Sequence, residues 1–153
     1  MKTQLLPLFM LFLPVVLLAQ LRDVETKQLG KFGPMEISFR TENDFGKVSK
    51  SIVGSYQSAD ADDVTDIGAV FFSDSATVIS FCNHLAEAVE ALNRKKGISS
   101  WVTRTYQVNA IRDIQRVRVS SVGRNSSAYA NLTAIQAQKL SESLSRSASL
   151  LGQ

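Results

Sequence analysis

The chain is short of the residues that most often announce a chemistry. Its 153 residues include one cysteine, Cys82, and one histidine, His84. A single cysteine excludes an intrachain disulfide, so the fold must rest on packing alone. Its neighbours Phe81 and Leu85 mark Cys82 as a small buried hydrophobe. Two residues apart on a helix, Cys82 and His84 point about 200° away from each other, which excludes a thiol–imidazole dyad within that element. His84 is expected to meet Glu87, within a turn of it on the same helix. No G-x-S-x-G, Walker loop, dinucleotide fingerprint, zinc-type spacing or HExxH motif occurs, so no catalytic residue is assigned and no cofactor is implied.

One long apolar run is present, and it opens the chain. Lys2 supplies a charge, Leu5 to Ala19 follow with Pro7 and Pro14 interrupting them, and Ala19 is a small residue just before Gln20. This is the layout of a secretory signal peptide over residues 1–19. A retained anchor needs about 20 apolar residues, more than this broken run offers. The position two before Ala19 is Leu17, a departure from the small residue usual there. The expectation is a single globular domain over residues 20–153, secreted or periplasmic after cleavage, touching a membrane only during export.

Charge is unevenly spread. Residues 20–75 hold six basic and ten acidic side chains, a net −4, whereas residues 76–153 hold ten and four, a net +6. Such a dipolar distribution steers an anionic partner toward the C-terminal half.

Hydrophobic periodicity orders the elements. Met35, Ile37 and Phe39 alternate with Glu36, Ser38 and Arg40, a half-buried strand whose hairpin partner lies near Val24 to Leu29 across Gly30, Gly33 and Pro34. Ile52 to Tyr56, interrupted by Gly54, and Ile67 to Phe72 read as further strands. Val78, Phe81, Cys82, Leu85, Val89 and Leu92 form one helical stripe. Asp74 or Ser73 is placed to cap its start, and Arg94, Lys95, Lys96 and Gly97 suit its end. Beyond it, Val102, Arg104, Tyr106 and Val108 are expected to share one strand face, opposite Trp101, Thr103 and Thr105. Val117 and Val119 alternate with Arg116, Arg118 and Ser120, and Ser127 to Leu132 offers a short last strand. Thr133-Ala-Ile-Gln136 fits a capping box ahead of a stripe of Ala137, Leu140, Leu144, Ala148 and Leu151. The fold class that follows is α+β: an antiparallel sheet with two helices packed on one face, in the order strands–helix–strands–helix. Each half ends in a helix, which hints at a duplicated plan.

Two constellations carry chemistry. Arg104, Arg116 and Arg118 with Tyr106 form a candidate face for an anionic ligand, since guanidinium groups pair with sulfate, phosphate or carboxylate and aromatic rings stack on sugars. Arg112, Arg124 and Trp101 belong to the same neighbourhood of sequence. Asp60, Asp62 and Asp66 supply oxygen ligands of the kind Ca²⁺ accepts, although the run lacks the glycine and closing glutamate of a helix-flanked calcium loop. Asn125-Ser-Ser127 and Asn131-Leu-Thr133 fit the N-glycosylation pattern. Export points away from intracellular nucleic acid and toward an extracellular or envelope anionic polymer or protein. The leading expectation is therefore an exported, non-catalytic binding or interaction domain. A small-ligand binder with a pocket between sheet and helices, and a small hydrolase, are the alternatives.

Overall fold

The protein, described here as a computed structural model, is defined over residues 22–58, 67–94, 98–123 and 128–152. The expected leader and the acidic run holding Asp60, Asp62 and Asp66 lie outside the described residues, as do Lys95, Lys96, Gly97, Arg124 and Asn125. Among the described residues no helix is long and apolar enough to cross a membrane.

Among the described residues eight strands and two helices follow in the expected order. β1 (Arg22–Phe32), β2 (Met35–Asp44), β3 (Lys47–Gln57) and β4 (Ile67–Phe72) make one antiparallel meander, and α1 (Ser75–Leu92) closes that half. A second antiparallel meander, β5 (Ile98–Val102), β6 (Tyr106–Ile111), β7 (Arg116–Ser121) and β8 (Tyr129–Leu132), is closed by α2 (Ala134–Ser147) and a final 3-10 turn, Ala148–Gly152. The class is α+β, with the strands divided into two sheets of four. The duplicated plan is thus real at the level of topology.

The first helix changes sheets. α1 leaves the first sheet and lies across β5, β6 and β7 of the second, while α2 rests on α1 and touches both β1 of the first sheet and β7 and β8 of the second. Where the helices cross, Cys82 Sγ donates to the Ser141 carbonyl and Ser141 Oγ to the Cys82 carbonyl, each at 3.4 Å. Both sheets and both helices therefore feed one core, which includes Ile37, Ile52, Val70, Phe81, Leu85, Val108, Val119, Leu132, Leu140 and Leu144. Cys82 is buried and free, as its apolar neighbours suggested. A second tie joins the sheets directly: the Ser121 backbone N–H donates to the Tyr56 hydroxyl at 2.7 Å.

Local chemistry explains the element ends. Asp74 caps α1, accepting from the Thr77 backbone N–H at 2.7 Å and from its hydroxyl at 2.8 Å. These bonds hold the Asp74 carboxyl below its ordinary range, the backbone bond first among them. Thr133 and Gln136 form the full capping box of α2. The glycine that interrupts β3 has a packing reason, since a Cβ on Gly54 would overlap the Met35 methyl group. Gly68 likewise lies flat against the Tyr56 ring.

One stretch departs from its expected periodicity. Val102, Arg104, Tyr106 and Val108 do not share a strand face, because the chain reverses at Thr103–Thr105. No glycine, proline or asparagine marks this turn. The Thr103 side chain replaces them: its hydroxyl donates to the Tyr106 carbonyl at 3.0 Å and accepts from the Tyr106 N–H at 3.1 Å. The reversal resets the phase, so Tyr106, Val108 and Ala110 point inward with Trp101, and Val102 points out.

Candidate functional site

The outer face of the second sheet, turned away from the helices, is where Arg116 and Arg118 stand. Register places Ile98, Ile111 and Arg116 in one row across it. The next row is Ser100, Asn109, Arg118 and Asn131, and the third is Val102, Gln107, Ser120 and Tyr129. Among the described residues no aspartate or glutamate belongs to this face. Arg116 and Arg118 stand two residues apart on β7, about 7 Å along the strand, which puts both on the same side.

Arg118 is held in place. Its Nε donates to Asn131 Oδ1 at 3.1 Å, and its guanidinium carbon stands 3.8 Å from the centre of the Tyr129 ring. Among the described residues the two terminal nitrogens of Arg118 have no hydrogen-bond partner, so the fork that binds a carboxylate or sulfate edge is left open. Arg116 donates through one terminal nitrogen to the Gln115 carbonyl at 3.1 Å and keeps the rest of its guanidinium free among the described residues. Beside them Gln107 Nε2 donates to Ser100 Oγ at 3.1 Å and Asn109 Oδ1 at 3.0 Å. The face thus combines two cations, three amides, hydroxyls and one aromatic ring. That combination can pair an anion while hydrogen-bonding neighbouring hydroxyl groups.

The other arginines have different posts. Arg112 Nε donates to the Ala91 carbonyl at 2.6 Å and its Nη2 to Ser99 Oγ at 2.5 Å. It therefore supplies the cation and donors at the C-terminus of α1 from another element. Arg104 sits in the turn between β5 and β6, beyond the third row. It lines a cleft of about 570 Å³ with Ile67, Ala69, Phe71, Thr105, Ser121, Val122 and Gly123. That cleft lies between β4 and the ends of the second sheet, not between sheet and helices. Arg104 is thus separated from Arg118.

Tyr106 lies on the opposite side of the sheet from Arg116 and Arg118, 1% exposed in the core. Its hydroxyl is 3.1 Å from His84 Nδ1. Burial, with the nearby Cys82 adding to it, pushes the Tyr106 hydroxyl up to about 12. His84 accordingly meets Tyr106 rather than the expected Glu87, and its ring also stacks on Trp101 with centroids 6.5 Å apart. The aromatic ring that does join the arginines is Tyr129. Its signal was present in the sequence as Tyr129 and Asn131 alternating with Ala130 and Leu132. The calcium candidates Asp60, Asp62 and Asp66 lie outside the described residues; among those described, no group of three metal-ligating side chains gathers. Of the two glycosylation-type asparagines, Asn131 is the one described, and it is the Arg118 acceptor.

Compared with known protein families and with curated proteins, the chain matches none.

Proposed function

We propose that this chain is an exported, non-catalytic binding domain that engages an anionic extracellular or envelope polymer through the outer face of its second sheet. The observation that carries the reading is Arg118, pinned by Asn131 and Tyr129, with its terminal nitrogens open and no carboxylate on its face among the described residues, beside Arg116. Orienting a guanidinium before the ligand arrives lowers the entropy cost of binding. The flanking Asn109, Gln107 and Ser100 suit the hydroxyl groups of a sulfated or uronic glycan. The apolar opening of the chain, Leu5 to Ala19, supports export.

Retention on an immobilised sulfated glycan across a salt series tests the reading. The wild-type protein should be retained and should elute as salt rises, because screening over about 8 Å at physiological ionic strength weakens close charge contacts. Arg116→Ser combined with Arg118→Ser should elute at clearly lower salt. Equal retention of both proteins, or retention of neither, overturns the assignment.

The 570 Å³ cleft favours a second reading, a small-ligand binder. Its apolar floor of Ile67, Ala69 and Phe71, with Arg104 at the rim, suits an apolar molecule bearing one anionic group. Loss of binding to a fluorescent amphiphilic carboxylate in Arg104→Gln would support it, and unchanged binding would reject it.

A further inference from the structure

We infer that the free edge of β1 pairs with the β1 edge of a second copy of this chain, joining two first sheets across a two-fold axis at Thr26. Among the described residues β1 is the outermost strand of its sheet, bonded on one side to β2. Its residues Asp23 to Gln28 are all exposed. The strand becomes covered only at Leu29, where a bulge between Gln28 and Gly30 shifts the register and α2 packs on the remainder. The exposed edge is therefore a regular run that stops at a defined point.

The run is complementary to itself. An antiparallel pair centred on Thr26 sets Glu25 opposite Lys27 of the partner subunit and Lys27 opposite Glu25 of the partner subunit. Thr26 then faces Thr26 of the partner subunit, and Val24 faces Gln28 of the partner subunit. Glu25 and Lys27 share one face of β1, so each cross-strand pair meets on the same side of the joined sheet. Among the described residues neither has an ion-pair partner within its own chain. A register centred on Glu25 places two like carboxylates directly opposite each other, and one centred on Val24 sets Asp23 against Glu25 twice. The Thr26 register has no such repulsion. Charges on an edge strand usually keep edges apart; here their order selects one partner, the same strand reversed.

Sedimentation equilibrium of the purified protein, its N-terminus fixed by mass spectrometry, tests the inference. The wild type should show twice the monomer mass as its concentration rises into the high micromolar range. Lys27→Glu, which sets two glutamates opposite each other, should remain monomeric. Glu25→Lys with Lys27→Glu reverses both pairs and should restore the dimer, whereas a Glu25-centred register would be repelled further by it. Circular dichroism matching the wild type confirms that each variant is folded. A monomeric wild type throughout, a dimeric Lys27→Glu, or a double variant that stays monomeric overturns the inference.

Discussion

Replacing Arg112 by alanine should destabilise the protein without touching its binding face. The guanidinium joins three elements: the end of α1 through the Ala91 carbonyl, β5 through Ser99 Oγ, and the β6–β7 connection on which Arg112 stands. A hydrogen bond from a charged group contributes about 1.5–3 kcal/mol net. A cation at a helix C-terminus adds roughly 0.3–1 kcal/mol. Arg112 is half-buried, so water recovers part of this, and a loss of about 2 kcal/mol is expected. With an unfolding entropy of roughly 2.1 cal/mol/K per residue over residues 20–153, that corresponds to a fall in Tm of about 7 °C. Urea denaturation followed by circular dichroism measures the first quantity and a thermal scan the second. Arg112→Lys should recover part of the loss, because it keeps the charge but not the fork. A change below about 0.5 kcal/mol for Arg112→Ala, the range of ordinary surface sites, would mean that Arg112 does not hold these elements together.

Leu85 is fully buried at the centre of the α1 stripe, and Leu85→Ala should cost about 2–5 kcal/mol by the same urea assay. Tyr56→Phe removes the acceptor of the Ser121 N–H that ties the two sheets, so a loss of about 1–3 kcal/mol is expected by the same urea assay. Tyr106 holds its proton to about 12 in the folded state against 10.0 ordinarily. Its contribution is therefore complete below pH 10 and lost as pH rises through 12, and stability measured across that window should fall less steeply in Tyr106→Phe.

Much of the fold was legible because it is written locally. The alternation of Met35, Ile37 and Phe39, the stripe from Val78 to Leu92 and the Thr133–Gln136 box each report a residue's immediate environment, and each element formed where expected. The turn at Thr103–Thr105 was not legible, because a threonine hydroxyl does the work usually given to glycine or proline. That single reversal turned Tyr106 inward. The crossing of α1 from the first sheet to the second depends on which faces meet in space, and periodicity carries no such information. On the binding face, Arg116 and Arg118 were visible from their spacing on β7. Their company was not: strand pairing brought Tyr129 and Asn131 to Arg118, left Arg104 at a separate cleft and sent Arg112 to the end of α1.

The most direct test of the proposed binding face is an NMR titration of the isotope-labelled protein with a sulfated oligosaccharide. Backbone signals of Arg116 to Ser120 and Tyr129 to Asn131 should shift, together with the Arg118 Nε–H and the side-chain amides of Gln107 and Asn109. Signals of α1, α2 and the first sheet should stay in place. Shifts gathered around Arg104, Ile67 and Phe71 instead, or no shifts at any excess of ligand, would contradict it.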